Sequence, residues 1–127
     1  FMSGQFTLHK KERLKSRKSI DQLFSEGQRF TQTPVRVFYR KTTTTGLQFG
    51  VAVSARLFKK AVDRNRVKRV MREAWRLQKN ELDKQLKEKE KGLHVFFVYT
   101  DKELPVYAVI SSVTATIIRK LNDRING

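Results

Sequence analysis

The chain lacks cysteine altogether, and it has little histidine and few acidic residues. Without cysteine it can form neither a disulfide framework nor a Cys-based zinc site. The two histidines, His9 and His94, are far apart in sequence and show no metal-ligand spacing. We therefore expect no metal site and no catalytic residue of its own on this protein.

Long apolar runs are also missing. The longest run, residues 95–99, has the length of a strand and falls far short of the roughly 20 residues of a membrane span. The N-terminus lacks the apolar core of a secretory signal. We expect a cytoplasmic protein without a membrane partner, in which residues 6–127 form a single domain and residues 1–5 are disordered or vector-derived.

The scarcity of acidic residues leaves a large excess of positive charge. Against 28 Lys and Arg stand 12 Asp and Glu, which gives a net charge of +16, and the pI is about 10.6. Such an excess destabilises a free fold by self-repulsion, so a polyanionic partner, and first of all a nucleic acid, is indicated. The 39% of hydrophobic residues, with nine Phe, suffices for a folded core.

The hydrophobic pattern predicts an α+β fold, an α/β two-layer sandwich with a small mixed sheet of three to four strands and three helices. The predicted elements are helix 17–26, strands 35–40 and 47–54, helix 60–91, strand 93–100 and a helix from Pro105 onward. Strand 93–100 is apolar on both faces, which places it in the middle of the sheet. The long helix could break near residues 78–80, and the first half of the last helix could instead be a strand.

The helix that starts near Lys60 is the most informative segment. Only Asp63 and Glu73 oppose the ten positive charges between residues 56 and 79. At 100° per residue, one face carries Asn65, Lys68, Arg69, Arg72 and Arg76, and the opposite face carries Val67, Val70, Met71 and Ala74. Guanidinium groups bind phosphate in pairs and stack on bases, so this face suits RNA. The alternative is a solvated basic face held by pairs such as Arg69 with Glu73.

The order of residues 60–73, Lys-Ala-Val-Asp-Arg-Asn-Arg-Val-Lys-Arg followed by Arg72-Glu73, resembles the signature of the bacterial ribonuclease P protein subunit. The signature is centred on the tripeptide Arg64-Asn65-Arg66. Residues 13–27 resemble the opening helix of that family, and residues 50–54 resemble the strand before its basic loop. The resemblance covers roughly residues 10–125.

The resemblance implies a subunit of a ribonucleoprotein that removes the 5′ leader of precursor tRNA. The RNA subunit would carry out the chemistry with Mg²⁺, bound mainly by that RNA, so the protein would count as an enzyme only through the complex. The partners would be the catalytic RNA and precursor tRNA, with no obligate protein partner, and the sheet would contain a left-handed β-α-β crossover. The residues implied to bind the catalytic RNA are Arg56, Lys59, Lys60, Arg64, Asn65, Arg66, Lys68, Arg69, Arg72 and Arg76.

The resemblance also implies a cleft between the first helix and the sheet that holds the single-stranded leader. Stacking and phosphate neutralisation together bind a single strand with little sequence preference. Phe24 could equally be a core residue, and Tyr39 could equally be an aromatic residue on the sheet surface. The implied cleft residues are Arg13, Arg17, Ile20, Phe24 and Tyr39.

Other functions remain possible from the sequence. A ribosomal or ribosome-assembly protein would share the charge and the RNA partner but would need no leader cleft. An autonomous metal-dependent nuclease would need a donor cluster that the sequence does not show. A DNA-binding helix is disfavoured, since no helix-turn-helix spacing precedes the basic helix.

Overall fold

A computed structural model of the protein describes residues 13–126, so the expectations for residues 1–5 and for His9 lie outside the described part. The elements in chain order are α1 (Arg17–Glu26), β1 (Gln28–Gln32), β2 (Val35–Thr42), β3 (Gly46–Val53), α2 (Ala61–Gln78), α3 (Asn80–Glu88), β4 (Gly92–Tyr99) and α4 (Tyr107–Asn126). The long basic helix breaks at Lys79, within the predicted region, which raises the helix count to four.

The four strands form one mixed sheet in the order β1-β2-β4-β3. The β1–β2 and β2–β4 pairs are antiparallel, and the β3–β4 pair is parallel. The predicted α+β class and the central position of β4 are therefore confirmed. The helices α2 and α3 connect the adjacent parallel strands β3 and β4, and the left-handed sense of this crossover stays a prediction.

One face of the sheet carries the larger core, beneath α2, α3 and α4. Trp75 of α2 stacks on Phe49 of β3 with a ring-centroid distance of 4.4 Å and an interplanar angle of 5°. Phe97 of β4 meets both rings edge-on, at 4.8 Å and 5.5 Å. These three aromatic residues fix α2 on the sheet and decide which of its sides faces solvent.

The helix α1 covers part of the opposite face. Its Leu23 packs in a second cluster with Phe38 and Phe96, whose side chains alternate with those of the larger core along β2 and β4. Ser16 caps the helix by accepting a hydrogen bond from the Ser19 amide at 3.3 Å.

Residues 13 and 14 lie against the β3 edge of the sheet. The Leu14 amide donates a hydrogen bond to the Phe49 carbonyl at 2.8 Å. Arg13 forms a parallel bridge with the same residue. These two contacts place Arg13 and Leu14 beside β3, the edge strand that α2 also contacts.

The last segment forms one continuous helix, α4, over Tyr107–Asn126, so the alternative of a strand in its first half is wrong. Ile110, Ile117 and Leu121 are buried, as their helical spacing predicts. Val106 and Val109 share that spacing but are 63% and 53% exposed, because no neighbouring element of the described chain covers them. None of the helices in residues 13–126 is long and apolar enough to cross a membrane.

Candidate nucleic-acid interface

The helix α2 buries one side and presents cations on the other. Val67, Met71, Ala74 and Trp75 are completely buried against the sheet and α4. We use the name α2 ridge for the polar side, whose members are exposed or half-exposed. The α2 ridge consists of Asn65, Arg66, Lys68, Arg69, Arg72 and Arg76.

The charges of the α2 ridge are largely uncompensated. Within residues 13–126, the side chains of Arg66, Lys68 and Arg69 form no hydrogen bond or ion pair. Glu73 pairs with Arg76 and not with Arg69, so the alternative of a self-neutralised basic face through Arg69 is not what the structure shows. Like charges three and four residues apart destabilise a free helix. The α2 ridge is therefore a surface whose charge is left for a partner to neutralise.

Arg64 belongs to the same sequence motif but points elsewhere. Its Nη1 donates hydrogen bonds to the carbonyls of Phe58 and Lys59, at 2.8 Å and 2.9 Å. The guanidinium thereby holds the loop that enters α2. An RNA contact through Arg64, which the resemblance implies, would have to use the nitrogens other than Nη1 or replace these two hydrogen bonds.

The loop between β3 and α2 is fixed by its own backbone. The Ser54 carbonyl accepts hydrogen bonds from the amides of Leu57 and Phe58, at 3.1 Å and 3.2 Å. Phe58 is buried and lies 6.1 Å from the Tyr99 ring. Its anchoring leaves three predicted RNA-binding residues exposed beside the start of α2. These are Arg56, Lys59 and Lys60.

Arg72 extends the basic surface toward the β3 edge of the sheet. It shares a cavity of about 190 Å³ with Arg13, Ile20 and Phe96. Burial and then the charge of Arg13 lower the pKa of Arg72. The guanidinium groups of Arg13 and Arg72 therefore line one cavity at the β3 edge, between the α2 face and the α1 face of the sheet.

A second candidate surface lies between α1 and the sheet. Phe24 meets Phe38 and Phe96 edge-on, with centroid distances of 4.7 Å and 5.2 Å. Phe24 nevertheless remains 42% exposed. Phe24 is therefore packed on one side and open to solvent on the other, and its leader-binding role stays a prediction. Ile20 is half-buried in the same cluster, and Arg17 is exposed at the start of α1.

The strand register shows further residues of this surface that the sequence analysis missed. Arg36 of β2 pairs with Val98 of β4, and Val98 pairs with Ala52 of β3. The three side chains form a row across the α1 face of the sheet. Arg36 is exposed, and Ala52 and Val98 are half-buried. Alternation along β2 and β4 could have found them, because Arg36 shares a face with Phe38. We call the surface formed by Ile20, Phe24, Arg36, Phe38, Phe96 and Val98 the α1 cleft.

Tyr39 does not belong to the α1 cleft, and the implied assignment is wrong. Neighbouring residues of a strand point to opposite faces, so Tyr39 faces the larger core while Phe38 faces α1. Tyr39 is 3% exposed, which also excludes a sheet-surface role. Its hydroxyl donates to Gln28 Oε1 at 2.6 Å and accepts a hydrogen bond from Arg124 at 2.8 Å.

No group of three His, Asp or Glu side chains in residues 13–126 could hold a metal ion. His94 lies on β4 with its Nδ1 buried and without a hydrogen-bond partner in that part of the chain. Burial and then the charge of Arg40 lower its pKa, which favours a neutral structural histidine.

Comparison with known proteins finds a family and individual proteins whose sequences are similar to this chain. A model of the Ribonuclease P family matches residues 8–108. The ribonuclease P protein component of Porphyromonas gingivalis is 38% identical over 108 residues, which span 83% of this chain and 79% of that protein. The protein of the same description from Nitrosococcus oceani is 33% identical over 72 residues, 57% of this chain and 60% of that protein.

A solved structure shares the fold. The Staphylococcus aureus RNase P protein superposes with a TM-score of 0.68 at 19% sequence identity, over 87% of this chain and 94% of that one. A second structure, of a mutant of the same Staphylococcus aureus protein with defective mRNA degradation activity, superposes with a TM-score of 0.65 at 18% identity. It covers 89% of this chain and 90% of that one.

Proposed function

The chain belongs to the ribonuclease P protein family, and from that premise we propose that it is the protein subunit that assists a catalytic RNA in removing the 5′ leader of precursor tRNA. The proposal gives the protein two binding tasks. The α2 ridge binds the catalytic RNA, and the α1 cleft binds the leader. The two surfaces lie on opposite sides of the sheet.

The observation that carries the first task is the uncompensated charge of the α2 ridge. Arg66 and Arg69 are exposed without a carboxylate partner in residues 13–126, and Trp75 holds the helix with this side outward. Arginine forks match phosphate oxygens in pairs. Asn65, exposed next to Arg66, offers an amide donor and acceptor to a base edge or a 2′-hydroxyl.

The second task rests on the chemistry of the α1 cleft. A single strand without sequence constraint binds to aromatic rings and to cations that follow its backbone. The open part of the Phe24 ring supplies the stacking surface. Arg36 on the sheet and Arg17 on α1 are both exposed and supply the charge.

The chemical step belongs to the RNA partner in this proposal. Residues 13–126 contain no carboxylate cluster that fits Mg²⁺, so we assign the metal mainly to the RNA. The protein's contribution is to bind, to neutralise phosphate repulsion in the folded RNA and to orient the leader. The complex would act in the cytoplasm, on newly made precursor tRNA.

Reconstitution tests the function as a whole. The chain is added to a bacterial ribonuclease P RNA at a low Mg²⁺ concentration at which the RNA alone is nearly inactive. We expect accurate removal of the leader, because bound cations replace part of the screening that Mg²⁺ supplies. Preferential binding to ribosomal RNA without any stimulation would favour a ribosomal role, and cleavage by the protein alone would indicate an autonomous nuclease.

The leader contact has a separate test. The affinity of the reconstituted complex is measured for precursor tRNA and for mature tRNA, which lacks the leader. We expect tighter binding of the precursor, with a difference that shrinks when Phe24→Ala removes the stacking ring. Equal affinities for the two RNAs would remove the leader contact from the proposal while leaving the role of the α2 ridge intact.

A further inference from the structure

The start of α4 places an exposed aromatic residue beside the α2 ridge. Tyr107 is 39% exposed, and its hydroxyl makes no hydrogen bond within residues 13–126. The other two tyrosines differ, since the hydroxyl of Tyr39 donates to Gln28 and that of Tyr99 donates to the Glu103 carbonyl. Tyr107 is thus a large ring that the protein's own packing does not use fully.

The surroundings of Tyr107 form a shallow cavity. Its volume is about 480 Å³, within the roughly 300–1,000 Å³ of ligand pockets. We call this cavity the Tyr107 pocket. Its lining residues are Arg66, Arg69, Val70, Glu73 and Tyr107. Two members of the α2 ridge, Arg66 and Arg69, therefore form part of its wall.

The neighbouring chain adds apolar surface to this region. Leu104, Val106 and Val109 are 41%, 63% and 53% exposed and lie within three residues of Tyr107. Val106 and Val109 are spaced to share a helix side with the buried Ile110, and the structure leaves both exposed. Apolar surface next to an unneutralised cationic ridge matches a ligand with both a flat apolar ring and a negative charge.

We propose that the Tyr107 pocket receives one unpaired nucleotide of the RNA that binds the α2 ridge, with its base stacked on the Tyr107 ring and its phosphate held by Arg66 and Arg69. This inference rests on the proposed function, because it takes the same RNA as the source of the nucleotide. Unpaired bases of folded RNA are recognised by stacking on aromatic side chains and by contacts along their exposed edges.

The charge distribution favours a base, and not a phosphate, inside the pocket. Glu73 lies in the wall, and a carboxylate repels a phosphate but accepts hydrogen bonds from the exocyclic amino groups of bases. Glu73 forms its ion pair with Arg76 and not with Arg66 or Arg69, so these two cations stay available for the phosphate. The two halves of a nucleotide thus have separate partners.

Binding of a bacterial ribonuclease P RNA is measured for the wild-type protein, Tyr107→Ala and Tyr107→Phe at several salt concentrations. Loss of one stacked base should weaken binding roughly 5- to 100-fold for Tyr107→Ala. The slope of affinity against salt should stay unchanged, because no phosphate contact is lost. Tyr107→Phe should bind within about twofold of wild type, since it keeps the ring.

Leu77→Ala is the matched control. Leu77 is 42% exposed on α2 and does not line the pocket, so its truncation should leave the affinity unchanged. Base-specific chemical probing of the bound RNA supplies the second readout. In the complex with the wild-type protein or with Tyr107→Phe, one unpaired base should be protected from the chemical probe. In the complex with Tyr107→Ala that base should react, while the RNA backbone along the α2 ridge stays protected.

Wild-type affinity of Tyr107→Ala, or equal weakening by Ala and Phe, would overturn the inference. Self-association of the free protein that disappears with Tyr107→Ala would also overturn it and would assign the pocket to a second copy of the chain. The proposed function is judged separately, by the reconstitution assay and by the effect of Arg66→Ala and Arg69→Ala on affinity and salt slope.

Discussion

Arg64 and Arg66 flank Asn65 in the central tripeptide, yet the structure gives them different tasks. Arg64 is bound to the carbonyls of Phe58 and Lys59, whereas Arg66 is exposed without a partner in residues 13–126. Replacing either by Ala removes one positive charge, so the change in net charge is the same. The pair therefore separates direct phosphate contact from general attraction between the protein and RNA.

For Arg66→Ala we expect the slope of log affinity against log salt to fall by about one unit. Over a fourfold change of salt, between about 50 and 200 mM, this makes the loss of affinity roughly threefold smaller than for wild type. Arg69→Ala should behave alike, and the double variant should lose about two units. The assay is equilibrium binding to the catalytic RNA at four or more salt concentrations.

For Arg64→Ala we expect little change of slope and a less stable protein. Two hydrogen bonds from a guanidinium, discounted because the site is half exposed, correspond to about 1–3 kcal/mol of unfolding free energy. Urea denaturation of the free protein measures this loss. A slope reduction for Arg64→Ala as large as that for Arg66→Ala, with unchanged stability, would refute the assignment of Arg64 to the loop.

Three further predictions concern the α1 side of the sheet. Phe24→Ala should weaken binding of precursor tRNA by the complex roughly 5- to 100-fold, with a much smaller effect on mature tRNA; equal effects on both would contradict leader stacking. Gly50→Ala should destabilise the fold by about 1–3 kcal/mol in urea denaturation, because a Cβ there would overlap the Phe96 ring; wild-type stability would show that the ring can move away. Burial lowers the pKa of His94, so the unfolded chain binds the proton more tightly and the unfolding free energy should fall as the pH drops from about 7.5 to 5.5. His94→Gln should reduce that pH dependence, and an unchanged dependence in this variant would contradict the prediction.

The buried and exposed sides of α2 could be predicted from the sequence because an α-helix rotates by a constant angle per residue. The 100° step separates Val67, Met71 and Ala74 from the cations, and the structure buries these three residues. The same rule could not predict the hydrogen bonds of Arg64. They depend on the path of the preceding loop, which the buried Phe58 fixes.

The α1 cleft was harder to predict, since a strand reveals alternation but not which face meets which helix. The sequence pattern separates Phe38 from Tyr39, and only the packing of Leu23 on Phe38 shows that α1 covers the Phe38 face. The strand β1 was missed as an element because its sequence, Gln28–Gln32, is polar apart from Phe30. An edge strand with one inward apolar residue gives too weak a periodic signal.

The start of α4 shows the limit of helical spacing. Val106 and Val109 continue the apolar pattern of Ile110, yet they are exposed. Spacing along one helix predicts which residues share a side, but it cannot tell where the neighbouring elements end.

The cavity shared by Arg13, Ile20 and Arg72 has a consequence for how the α2 ridge and the α1 cleft influence each other. Elsewhere a whole sheet separates them, and substitutions on distant, unconnected sites have additive free energies. In double-mutant cycles, Phe24→Ala and Arg66→Ala should therefore act independently. Thermodynamic coupling between binding of the substrate and binding of the catalytic RNA should concentrate at this corner, where the side chains of Arg13 and Arg72 line the same cavity.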